Sequence, residues 1–276
     1  MRDRMLHLLI IATLVGFATT IGVLPFMVTR EVPRGIYDTM LGLGAGLMLA
    51  AATLGLLPTA LADVRAGGAV QLQVLVVVLG GFASGAALLF GMDRFIPHAH
   101  AGGHHEHMHG HEPAAHAHCD HATVDERARH QGMLIVGAMA LHRVPEGFAI
   151  GAAFATTGAA PLGLLLAIAI ALNNAIEGAV MAAPLKRGGL GRGRLLAIVA
   201  ATGLAVPVGA VSGFALANRI AGALPFMLAV AAGALLYLTC NEIIPESHSH
   251  GNERGATFGL LGGVVIVVLL KVLVGE

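Results

Sequence analysis

The stretch Leu141-His142-Arg143-Val144-Pro145-Glu146-Gly147 and its echo Leu172-Asn173-Asn174-Ala175-Ile176-Glu177-Gly178 decide how this chain is read. Both lie inside long apolar runs. A charge at the centre of a bilayer costs roughly 2.5–3.5 kcal/mol on insertion scales, so it persists there only if paired, bound to an ion or facing a polar pathway. On a helix, His142 and Glu146 are four apart and share one face. Asn173 and Glu177 repeat that spacing, and Asn174 stands three before Glu177. Two facing helices would gather one imidazole, two carboxylates and two amide oxygens, a donor set suited to a borderline divalent cation such as zinc. Pro145 removes a backbone donor and crowds the carbonyl of Leu141, so a kink that makes room for an ion is expected beside Glu146.

Composition agrees with a membrane setting. Of 276 residues, 56% are hydrophobic and only 12% charged, with a mean hydropathy of +0.80; soluble domains carry about twice that charge. The 38 glycines suit close helix packing in a bilayer. A net charge of zero gives no sign of a nucleic-acid partner, and Cys119 and Cys240 suggest no disulfide framework. The first apolar run is too long for a signal-peptide core and reads as a retained span.

Apolar runs of about 20 residues between charged or Gly/Pro-rich breaks mark eight spans. They cover Leu6–Val28, Ile36–Ala62, Val70–Met92, Met133–Phe154, Leu162–Leu185, Leu195–Ala217, Leu224 to about Pro245, and Thr257–Val274. The expected fold is an all-α integral membrane bundle of eight helices, one polytopic domain over 1–276. Eight crossings put both termini on one side. With the termini outside, inner segments hold Arg30, Arg34, Arg94, Arg127, Arg129, Lys186, Arg187, Arg192, Arg194 and Arg254. Outer segments hold only Arg2, Arg4, Arg65, Arg219 and Lys271. The positive-inside rule therefore favours both termini on the outer, periplasmic face of a cell (inner) membrane.

A polar segment at about 94–131 reads as a disordered, His-rich cytoplasmic loop. It holds His98, His100, His104, His105, His107, His109, His111, His116, His118, Cys119, His121 and His130. Such tracts take up transition metals without a fold, which points to a regulatory role. Ser247-His248-Ser249-His250 is a shorter tract of the same kind.

His142-x-x-Pro145-Glu146-Gly147, followed after one loop by Glu177-Gly178, resembles the signature of the ZIP (Zrt/Irt-like protein) family of divalent metal transporters. Eight spans and a His-rich inner loop also resemble that family, and Asn241-Glu242-Ile243-Ile244-Pro245-Glu246-Ser247-His248 looks like its bacterial GufA-like branch. The resemblance implies zinc, cadmium, iron or manganese as transported substrate, moved inward without ATP by alternating access. No phosphate-binding Gly-rich loop is present. It also implies a site of Met48, His142, Glu146, Asn173, Asn174 and Glu177, and no catalytic residue or resident cofactor. The repeated Leu-x-x-x-x-Glu-Gly, offset by 31 residues, fits a 3+2+3 inverted-repeat arrangement. The expected partners are the metal ions, the bilayer and, in a homodimer, a second copy of the chain.

The chain departs from that pattern at three second-metal ligands. Arg143 stands where the family usually has Asn, Asn173 and Asn174 where it has His, Gln or Asp, and Val206 where an acid precedes proline. One retained metal site is expected, with Arg143 as a tethered charge that neutralises it or holds the second position. Two rivals belong to other classes: an intramembrane zinc hydrolase and a metal sensor that binds without moving its ion. The hydrolase lacks a His-Glu-x-x-His motif.

Overall fold

The computed structural model describes residues 2–28, 33–68, 70–95, 121–155, 160–220 and 222–275. All regular structure among them is helical. Eight helical spans are long and apolar enough to cross a membrane: Asp3–Val28, Arg34–Ala66, Gln71–Met92, Gly132–Phe154, Pro161–Arg187, Arg192–Arg219, Leu224–Ser247 and Glu253–Val274. They match the eight expected from the apolar runs to within a few residues, which identifies a multi-pass membrane protein.

Four spans are interrupted, and proline explains two of the breaks. A proline cannot donate to the carbonyl four residues back, and its ring pushes that carbonyl away. The second span widens into a π-helical turn at Ala51–Leu56 just before Pro58. The freed carbonyl is that of Leu54, and Lys271 Nζ from the eighth span donates to it at 2.6 Å. The seventh span does the same at Thr239–Ile243, just before Pro245. Such π turns satisfy the backbone inside a membrane while redirecting side chains. The first span breaks between Arg2–Phe17 and Thr19–Val28, and the sixth between Arg192–Thr202 and Ala205–Arg219.

The helix of the fourth span runs unbroken through Pro145, from His121 to Phe154. Its start corrects the loop expected up to 131: residues 121–131 are helical, in keeping with their Ala, Glu, Arg and Gln content. His98, His100, His104, His105, His107, His109, His111, His116, His118 and Cys119 lie outside the described residues. His121 is described only as the helix's first residue.

The most extensive packing joins second to eighth span, fourth to sixth, seventh to third, fourth to fifth, and first to fifth. Glycines permit it. A side chain on Gly147 would run into the Val206 carbonyl, and one on Gly209 into that of Val144, so the fourth and sixth spans touch backbone to backbone. The third and eighth spans are the least enclosed. They turn Leu72, Val76 and Leu79, and Phe258, Val265 and Val272, outward. An apolar surface this broad suits lipid rather than water.

Candidate metal site

Fourth and fifth spans meet through the side chains of Arg143, Glu146, Asn173 and Glu177. Gly178 packs against the Thr19 backbone of the first span, and Gly147 against Val206 of the sixth. These contacts hold Glu146 and Glu177 within a sealed interior, where Glu146 is 0% and Glu177 4% exposed. Asn173 ties them together: its Nδ2 donates to Glu177 Oε1 at 2.7 Å and to Glu146 Oε1 at 3.4 Å. Arg143, with 0% exposure, donates from Nη2 to Glu177 Oε2 at 3.3 Å. Its Nε and Nη1 find no hydrogen-bond partner among the described residues, and neither do Glu146 Oε2 and Asn174 Oδ1. A half-satisfied buried polar network is costly, and this one has polar atoms left to engage a further polar or charged group.

The remaining expected members stand as follows. Asn174 turns its amide away, Nδ2 donating to the Val15 carbonyl of the first span at 3.1 Å, so it braces two helices by that group. Met48 is fully buried on the second span. Its face is fixed one turn earlier, where a Cβ on Gly44 would come within 2.6 Å of Asn173 Oδ1. Pro145 lies within the fourth helix. His142 is 1% exposed and faces the seventh span, with Nδ1 3.5 Å from Glu242 Oε2. No three His, Cys, Asp or Glu side chains converge as a ready metal cage among the described residues. The arrangement groups Arg143, Glu146, Asn173 and Glu177 directly, and sets His142 one step away with Glu242.

Sequence reading did not place Glu242 beside His142, although the carboxylates Glu242 and Glu246, four apart within an apolar span, were visible. It also missed a buried pair at that end of the bundle. Asp38 is 0% exposed, with Oδ1 3.0 Å from His250 Nδ1 and Oδ2 without a hydrogen-bond partner among the described residues. Tyr37 stacks edge-on against the same imidazole, with ring centroids 6.0 Å apart. Of the short tract Ser247–His250, His250 is thus the residue joined to a buried acid.

Eight apolar helices around a buried carboxylate–amide–guanidinium cluster define a polytopic membrane protein with a polar centre. A family model described as ZIP zinc transporter matches residues 6–271. The chain is 34% identical to the zinc transporter GufA of Myxococcus xanthus over 267 residues, covering 97% of this chain and 98% of that one. It is 35% identical over 273 residues to the zinc transporter ZIPB of Bordetella bronchiseptica, covering 94% and 79%. It is 30% identical over 262 residues to a zinc transporter ZupT of Corynebacterium aurimucosum, covering 92% of each. This chain belongs to the ZIP family, on its bacterial branch. That is a family of transporters and not of enzymes, so the hydrolase reading falls.

Proposed function

We propose that this protein carries a divalent metal, zinc foremost and cadmium, iron or manganese by the same donor chemistry, across the membrane into the cytoplasm. It does so without ATP, by alternating access at one site between the fourth and fifth spans. The observation that carries this is the buried cluster of Glu146, Glu177, Asn173 and Arg143, two carboxylates with polar atoms left over in a sealed interior. His142, Met48 and Asn174 complete the proposed ligand set once the helices shift.

Alternating access is supported by how the spans pair. Exchanging first with sixth, second with seventh, third with eighth and fourth with fifth turns the second–eighth contact into seventh–third, and fourth–sixth into fifth–first. Both π turns fall on exchanged spans. Spans exchanged in this way cross in opposite directions, the pattern of an inverted repeat that rocks around a central site.

With termini outside, His142, Glu242, Glu246, His250 and Asp38 all lie on the cytoplasmic side of Glu146 and are assigned to the route between the site and the cytoplasm. Replacing Asp38 with Asn, which keeps the shape and removes the charge, should slow initial zinc uptake by about tenfold, in the range of outer-shell ligand changes. Unchanged uptake would place the exit elsewhere.

The His-rich segment is assigned to cytoplasmic metal sensing. Removing 99–120 should leave zinc transport intact and change its response to intracellular zinc, because a polar, low-complexity tract between spans tolerates deletion better than a span does. Loss of flux from a well-inserted deletion protein would refute this assignment. A sensor that binds without translocation remains the rival, and zinc flux into sealed liposomes separates it from a transporter.

A further inference from the structure

We propose that Arg143 is the counter-ion for the return of the unloaded carrier, and that it sets net transport rate at the expense of metal affinity. This rests on the reading of Glu146 and Glu177 as the metal's carboxylates.

Arg143 is the largest fully buried side chain, and its Nη2 reaches Glu177 Oε2 at 3.3 Å. Its other two nitrogens carry protons with no hydrogen-bond acceptor among the described residues. A guanidinium keeps its charge in proteins, and leaving so much of it without a protein acceptor in a buried site is unfavourable. A purely structural role would satisfy the whole fork, and Asn173 already ties the two carboxylates.

Any carrier must cross the low-dielectric region twice, once with metal and once without. Two ionised carboxylates alone cross as a double negative charge when unloaded, and as a neutral group with a divalent ion. With Arg143 the same two steps carry one negative and one positive charge. The guanidinium therefore removes the worst state of the cycle, the unloaded return, and makes the loaded state less favourable. It also competes with metal for the lone pairs of Glu177, which weakens binding and speeds release. Other buried charges do not interfere: Asp38 is engaged by His250, and Glu242 sits beyond His142.

The experiment compares two modes in liposomes holding the full-length protein. Net zinc uptake into zinc-free vesicles needs the unloaded return. Exchange of labelled zinc against internal zinc does not. Arg143→Asn should bind zinc at least about tenfold tighter in detergent, about 1.4 kcal/mol, and net uptake should drop by a similar factor while exchange persists. Arg143→Lys keeps the charge without the fork and should retain the wild-type ratio of net uptake to exchange. Equal loss of both modes in Arg143→Asn, loss of the ratio in Arg143→Lys, or weaker zinc binding by Arg143→Asn would each overturn the proposal. If Glu177→Ala still exchanges zinc at the wild-type rate, the site assignment has failed instead.

Discussion

Replacing Glu146 with Ala should abolish zinc uptake, by more than about 100-fold, while the protein still inserts and purifies. The size follows from the loss of one of two buried carboxylates facing a divalent ion, a larger change than the 10–100-fold typical of outer-shell residues. Folding should survive because the Arg143–Glu177 contact does not pass through Glu146. Glu177→Ala should abolish uptake equally but fold less well. It strips Arg143 of its carboxylate and leaves a buried guanidinium uncompensated, which costs about 3–5 kcal/mol. Glu177→Gln retains an acceptor and separates the two effects. Initial uptake rates normalised to inserted protein make the comparison; wild-type rates in both Ala variants would end the assignment.

A second large effect is expected at Gly147. A side chain there meets Val206 and Ala210 backbone atoms, which cannot swing aside as a flexible side chain does. Overpacking of a tight interior costs roughly 1–3 kcal/mol even where neighbours can relax. Gly147→Leu should therefore pry the fourth span from the sixth, and folded protein should be largely lost. Gly262→Leu, on the eighth span with open space around it, is the matched control and should behave as wild type. Thermal unfolding in detergent reads both. A Gly147→Leu protein as stable as the control would show that the fourth and sixth spans do not need this contact.

Much of this was legible in the sequence because bilayer physics writes in long words. Twenty apolar residues in a row admit one reading, and two Glu-Gly pairs inside such runs mark a buried polar centre. That Glu146, Glu177, Asn173 and Arg143 meet could be anticipated from helical spacing and from buried charge needing a partner. What escaped depended on which helix faces which. His142 pairs with Glu242, a hundred residues away in sequence, and the second Asn of the fifth span reaches the Val15 carbonyl instead of the carboxylates. Neither contact leaves a local periodic trace. Pro145 drew attention as the site of an expected kink, and its helix is continuous, while the π turns lie before Pro58 and Pro245. In the second span a neighbouring Lys271 takes the freed carbonyl, a tertiary contact no local rule supplies. The helix starting at His121 was hidden by the His-rich composition before it, which masked a run of good helix formers.

Metal is proposed to pass through the membrane at the cluster between the fourth and fifth spans. Zinc flux into sealed liposomes, with wild-type and Glu146→Ala protein reconstituted at equal density and no ATP present, tests it most directly. The wild type should accumulate zinc and the variant should show background flux only. Zinc bound by both proteins with flux in neither would make the protein a sensor, and equal flux in both would move the pathway away from Glu146.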